Sequence, residues 1–241
     1  FRHAPAILGH EIAGDVVEIG SKVTNIKVGD RVTVEPQVGC GECEMCKRGL
    51  VSLCSGKKVP GTPEWIGAFS EYFNADEKTV YKLADQTSYE MGTLAEPLAV
   101  AVHTVNHAET RTGGLVILGA GTIGQLILAV ARKRGYSPII VTDTAAFNRE
   151  FAVKHGADAA LDPVTENIPE KVKEMTGGRG ADLAIIAAGA DNILDQACEC
   201  VHKCGEIGIV AMITNKIPFY CYSVVFSELK IYGAMCYESG D

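Results

Sequence analysis

Long apolar runs, an excess of positive charge and an even complement of cysteines are all missing from this sequence. No apolar stretch approaches the ~20 residues that a bilayer-spanning helix needs, so a membrane is not an expected partner. Lysine and arginine number 22 against 30 acidic residues, a net charge of −8, which argues against nucleic acid or an anionic lipid surface as partner. The first residues carry no basic-then-apolar pattern, so a signal peptide is not expected. The 9 cysteines cannot all pair, and Cys40, Cys43, Cys46 and Cys54 cluster, which reads as reduced thiols in a cytoplasmic protein rather than a disulfide framework. What remains is 241 residues of ordinary 47% hydrophobic content, enough for a sizeable core in one or two domains.

The chain is organised around residues 115–143. Leu115, Val116, Ile117 and Leu118 make a short apolar run, the pattern of a buried parallel strand. Gly119, Gly121 and Gly124 follow at once in G-x-G-x-x-G spacing, with Thr122 and Ile123 inside it. Ile123, Leu126, Ile127, Val130 and Ala131 then recur at helical spacing up to Gly135. Ile139, Ile140 and Val141 form a second strand with Asp143 at its end. In this pattern Gly119 permits a sharp turn, Gly121 lets a pyrophosphate approach the backbone, and Gly124 lets the helix pack on the strand. The helix start at Thr122 and Ile123 offers unpaired N–H groups and a positive dipole end to phosphates. Asp143 is placed to accept hydrogen bonds from a ribose diol, and its charge repels a 2′-phosphate, so NAD is expected over NADP. Glycines marking an ordinary turn are the alternative.

Cys40, Cys43, Cys46 and Cys54 are spaced C-x2-C-x2-C-x7-C. Four thiolates suit a tetrahedral zinc site, closed and structural because no position is left for substrate. Lys47 and Arg48 would offset part of the negative charge. An iron–sulfur cluster and four metal-free thiols are the alternatives, although the common bacterial cluster spacing differs. Upstream, His10 and Glu11 follow Gly9 and offer two metal ligands, with a plain surface pair as the alternative. Glu96 precedes Pro97 at the start of a helical segment, where an acid is either a ligand or simply favoured by the helix dipole. Residues 12–34 read as β-rich, with strands at 16–19 and 31–34, and residues 67–73 read as a further strand. Short strands with frequent glycines suggest a small barrel or sandwich.

Taken in order, Gly9-His10-Glu11, Val28-Gly29-Asp30-Arg31-Val32, the four cysteines, Glu96-Pro97-Leu98 and the glycine loop resemble the zinc-dependent medium-chain dehydrogenases. The Glu96-Pro97-Leu98-Ala99-Val100 segment is similar to the sorbitol (L-iditol), butanediol and threonine dehydrogenase branch; the liver alcohol dehydrogenase branch has a cysteine in place of Glu96. The resemblance covers essentially the whole chain. It implies an α/β protein: a partial GroES-like catalytic domain over residues 1–100, with a structural zinc lobe at 39–55, then a Rossmann doubly wound six-stranded sheet over 101–241. It further implies an NAD-dependent enzyme that oxidises a secondary alcohol of a polyol or diol, with a catalytic zinc held through His10 and through Glu11 or Glu96, in a homodimer or homotetramer. It also implies a catalytic-zinc cysteine well upstream of Gly9 and more catalytic domain after Asp241, so the chain reads as truncated at both ends. A zinc-stabilised nucleotide-binding module without catalysis is the competing reading of the chain as it stands.

The remaining sequence continues the alternation. Residues 144–155 read as a helix with Phe147, Phe151 and Ala152 inward; where the family often places an arginine near adenine this sequence has Asn148, with Arg149 next to it, so that contact is not expected. A helix from Pro169 to Met175 and a strand at 181–186 follow. Ile193, Leu194, Ala197, Cys198 and Val201 give an amphipathic helix face, and strands at 206–210 and 229–234 complete the sheet. Cys198, Cys200 and Cys204 do not share a helix face and read as core or surface thiols. His3, His103, His107, His155 and His202 have no neighbouring ligands in sequence, and solvated or capped histidines are the expectation. Trp65 and Tyr72 either border a substrate pocket, as aromatic residues of this region do in the family, or pack in the core.

Overall fold

A computed structural model describes residues 4–241; His3 lies outside the described residues. The chain forms two compact units, one running to Ala99 and including Glu238–Asp241, the other Val100–Tyr237.

The first unit carries a three-stranded antiparallel sheet in the order β1 (Ala13–Asp15), β2 (Arg31–Val34), β3 (Val80–Lys82). Val32 and Val34 point to the buried side of β2 while Arg31 and Thr33 alternate with them, the period-two pattern of a half-buried strand. α1 (Glu44–Lys47), α2 (Tyr89–Thr93) and the start of α3 (Ala95–His107) complete the unit's helices. Ser88 caps α2 by accepting from Met91 N at 3.2 Å. Two expected strands do not form. Val17 and Ile19 are exposed, and the ladder sits instead at Ala13–Asp15. Residues 67–69 bond irregularly to residues 7–9, through Gly67 N to Ile7 O (2.8 Å), Phe69 N to Leu8 O (2.9 Å) and Ala68 N to Gly9 O (3.0 Å).

The second unit is a doubly wound α/β layer structure. Its sheet has six parallel strands in the order β6 (Ala159–Leu161), β5 (Tyr136–Thr142), β4 (Gly113–Leu118), β7 (Ala181–Ile186), β8 (Val201–Ile209), β9 (Lys230–Gly233). The connecting helices are α4 (Thr122–Arg134), α5 (Ala146–Lys154), α6 (Ile168–Met175), α7 (Ile193–Cys200) and α8 (Tyr222–Ser227). β4 is central and covered on both faces, which is why it reads as an unbroken apolar run. Leu115 and Ile117 pack with Ile127, Leu128 and Ala131 of α4, while Val116 and Leu118 pack with Ile168, Val172 and Ile193. Each such fully buried Leu or Ile contributes about 1.5–3 kcal/mol.

Three features of this unit depart from the periodicity. β6 has three residues and too little pattern to stand out in sequence. Val201 starts β8 instead of ending a helix, and Cys204 at φ 62° bends the strand before its buried half. On α5 only Ala152 faces inward; Phe147 is 74% exposed, and Phe151 stacks on His155 with ring centroids 3.9 Å apart. Cys198 and Cys200 are core thiols, pushed up to about 11 and about 12 by burial, so they stay neutral. No helix among the described residues is long and apolar enough to cross a membrane.

Candidate functional site

Among the described residues two groups of three or more potential metal donors have their ligand atoms within 4.8 Å of one another: Cys40, Cys43, Cys46 and Cys54, and His10, Glu11 and Glu96. The cysteine group is folded locally. Cys43 caps α1 and its sulfur accepts from Cys46 N at 3.4 Å, while Cys43 N donates to Cys40 Sγ at 3.4 Å and Cys40 N to Cys54 Sγ at 3.5 Å. Backbone N–H groups aimed at sulfur favour thiolate over thiol. Cys40 is drawn down to about 6 by the N–H groups of Cys43 and Glu42. Cys46 has the pull of the Gly41 N–H, but lost solvation and the neighbouring thiols push it up to about 12. Four sulfurs this close cannot all ionise unless a cation shares the charge. The Cys40–Cys46 sulfur separation of 3.9 Å matches the ~3.8 Å that tetrahedral zinc with 2.3 Å bonds requires. α1 buries no side chain, so this lobe has little apolar core of its own.

His10, Glu11 and Glu96 meet although they are far apart in sequence. Gly9, at φ +98°, lies so close to the loop that an added Cβ would stand 2.8 Å from Phe69 N, and only glycine delivers His10 from that turn. Glu96 comes from the first turn of α3. One imidazole nitrogen and two carboxylates form a borderline-hard donor set for a divalent cation such as zinc. Both carboxylates lie within 4.8 Å of the imidazole nitrogen and of each other. Trp65 is half-buried and donates to Asn74 O at 2.7 Å, while Tyr72 is 71% exposed, so neither packs in the core.

The glycine loop joins β4 to α4. A Cβ on Gly119 would meet Ala188 Cβ at 2.6 Å, and one on Gly124 would meet Gly119 O at 1.9 Å, whereas one on Gly121 would meet nothing within 4 Å. Open space at Gly121 is what a ligand's close approach to the backbone requires. Gly121 caps α4 without a side-chain oxygen, leaving the first-turn amides of Thr122 and Ile123 to a ligand or water. Asp143 lies beside the loop, where its two carboxylate oxygens accept from Ala120 N at 2.9 Å and Ala145 N at 2.8 Å. An ionised carboxylate has about four acceptor positions, so about two remain for hydroxyl groups.

Gln125 was not legible in advance, and Arg149 was legible only for its place beside Asn148, not for the partners it has. Gln125 Nε2 donates to Ala120 O and Asn148 O, and Arg149 Nη1 donates to Asp143 O and Thr144 O while Nη2 pairs with Asp162 at 3.2 Å. Gln125 acts wholly, and Arg149 in part, through backbone carbonyls on other elements, which leaves no trace in local spacing.

Comparison with known proteins follows the same two units. Residues 1–85 match the alcohol dehydrogenase GroES-like domain, and residues 122–241 match the zinc-binding dehydrogenase model. The chain is 37% identical over 237 residues to sorbitol dehydrogenase of Bacillus subtilis, covering 98% of this chain and 67% of that protein. The chain belongs to the zinc-binding dehydrogenase family. Among solved structures, the Bacillus subtilis 2R,3R-butanediol dehydrogenase superposes with a TM-score of 0.89 at 32% identity, over 98% of this chain and 67% of that one. The short chain alcohol dehydrogenase of Escherichia coli CFT073, complexed with NADH, gives a TM-score of 0.89 at 27% identity, over 96% and 68%. This zinc-binding dehydrogenase chain spans about two thirds of the length of the curated relatives it matches.

Proposed function

We propose that the protein oxidises a secondary alcohol of a polyol or diol to a ketone, using zinc and NAD. The observation that carries this reading is the convergence of His10, Glu11 and Glu96 within 4.8 Å, in a chain that also folds a glycine loop with Asp143 beside it. The relatives named for sorbitol and butanediol support the substrate class, and the neighbour complexed with NADH supports the coenzyme. Cys40, Cys43, Cys46 and Cys54 hold the structural zinc. His10 and the two carboxylates hold the catalytic one, with one of Glu11 and Glu96 bound directly and the other through water or by exchange. When bound, zinc supplies a Lewis acid for the alcohol oxygen and NAD accepts the hydride. Thr122, Ile123 and the α4 dipole receive the pyrophosphate, Gly121 gives it room, and the free lone pairs of Asp143 take the ribose hydroxyls.

The test is NADH formation by the zinc-loaded whole protein, at the length of its relatives, from a panel of polyols, vicinal diols and primary alcohols. Turnover of polyols or diols above primary alcohols, lost in His10→Ala, is expected; zinc-loaded protein inert towards the whole panel refutes the proposal.

Self-association belongs to the same reading. β9 is an edge of the six-stranded sheet and Ile231 on it is 38% exposed, so a second copy pairing there would protect an open edge and give a homodimer or homotetramer. A cytoplasmic location is supported by the odd number of cysteines and by the clustering of four of them at metal-ligand spacing.

A further inference from the structure

Ala120, the second residue of the glycine loop, is gripped from both sides. Its N–H donates to Asp143 Oδ2 at 2.9 Å, from the end of β5, and its carbonyl accepts from Gln125 Nε2 at 3.0 Å, from the first turn of α4. The same Gln125 nitrogen donates to Asn148 O of α5 at 2.9 Å. Gln125 Oε1 is buried with no partner, and the orientation is nonetheless fixed, because a flipped amide would set that oxygen against two carbonyl oxygens. Gly119 N donates to Thr142 O at 2.9 Å, so the loop is tied to β5 at two successive residues.

We propose that Asp143 and Gln125 are positioning residues that set the glycine loop before any dinucleotide arrives. This rests on the reading of the loop as a dinucleotide site. A loop with glycine at three of six positions has wide backbone freedom, and ordering it only on binding would weaken the ligand. The two side chains remove that freedom in the empty protein. Asp143 then has two tasks: it holds Ala120 and Ala145 with part of its acceptor capacity and offers the rest to the ribose. Gln125 touches no ligand and acts only through Ala120 and Asn148.

The test is amide hydrogen exchange in coenzyme-free protein. In the wild type the Ala120 amide is protected well above its intrinsic rate. Asp143→Asn keeps one acceptor oxygen, which the local bond to Ala145, two residues away, retains because it closes the smaller ring. The Ala120 amide then loses its partner and exchanges about tenfold faster or more, while Val116 and Ile117 in β4 stay slow. Gln125→Met, similar in length but without a donor, accelerates exchange in the loop and weakens NAD by about fivefold. An Ala120 amide unprotected in the wild type overturns the proposal without any variant, as does unchanged Ala120 exchange in both substitutions. Titration of the wild type with NAD tests the underlying reading separately: no binding alongside a protected Ala120 amide sinks the dinucleotide assignment and leaves the brace standing.

Discussion

Alanine at Gly124 and at Gly121 should separate folding from coenzyme binding. At Gly124 an added Cβ would lie 1.9 Å from the backbone oxygen of Gly119, where ordinary contact begins at 3.4 Å, so α4 and the loop must part by roughly 1.5 Å. Both partners are backbone, and no rotamer change relieves the clash. α4 carries Ile127, Leu128 and Ala131 into the core on the same face. A gap of 0.5–1 Å already forfeits about a quarter to a half of each dispersion contact. Overpacking costs about 1–3 kcal/mol and more when backbone must move, so the upper part of that range and beyond, about 3–5 kcal/mol, applies. Alanine's better helix propensity returns about 1 kcal/mol. The net is about 2–4 kcal/mol of destabilisation, roughly 5–15 °C in the melting temperature of a unit this size. At Gly121 the backbone has φ −70°, which alanine adopts freely, and the new methyl meets nothing. Stability there should stay within about 0.5 kcal/mol, while the methyl stands in the pyrophosphate's approach and weakens NAD by about tenfold or more. Thermal unfolding by circular dichroism and NAD titration by calorimetry read the two effects. A Gly124→Ala protein that melts within 2 °C of wild type, or a Gly121→Ala protein that binds NAD normally, would refute the argument.

Elemental analysis of Cys43→Ser should show one zinc fewer per chain, with faster proteolysis in residues 40–54; unchanged zinc content would contradict the four-sulfur site. Asp143 should make NADP bind at least about tenfold more weakly than NAD, since a carboxylate facing a phosphate costs on the order of 2–5 kcal/mol; equal affinities would contradict that role. Asp182→Asn should cost about 1–2 kcal/mol at pH 7, discounted for partial exposure, because burial of this carboxyl is outweighed by His202 and the Gly114 N–H, which hold it below its ordinary value. A depressed carboxyl stabilises the fold above its unfolded value and loses that contribution as pH falls through the folded one, so urea melts of variant and wild type should draw together as pH falls below the ordinary carboxylate range; a difference constant with pH would exclude the carboxylate charge as its source. Light scattering should find a dimer or tetramer that pairs through β9, and a monomer would rule that surface out.

Features built from near neighbours in sequence could be read directly. The strand, glycines and helix of residues 115–134 and the cysteine spacing each fall within a few turns of chain, and chemistry dictates their order. The convergence of Glu96 with His10 and Glu11 could not be decided that way: an acid opening a helix is common for electrostatic reasons alone, and only tertiary structure brings the three together. Phe147 and Phe151 misled because helical spacing says which residues share a face but not whether that face meets the sheet. The strands expected at 16–19 and 67–73 failed because β-branched and aromatic residues favour a pleated surface only where a partner strand lies alongside. Gln125 acts on carbonyl oxygens, which every residue has, so no residue type marked its partners.

The cysteine lobe has a consequence for metal supply. α1 buries no side chain, and besides the four sulfurs residues 40–54 are tied to the rest of their unit mainly through the buried hydrogen bonds between Ser52 and Gln37. With zinc at those sulfurs, the lobe's free energy follows mass action: each tenfold change in free zinc, above the dissociation constant, moves it by about 1.4 kcal/mol. The six-stranded sheet of the second unit has no such dependence. Scarce metal would therefore open one short surface segment, at the basic residues Lys47 and Arg48, while the rest of the molecule stayed folded. In a cell, the fraction of chains nicked there would be a record of how much zinc was free.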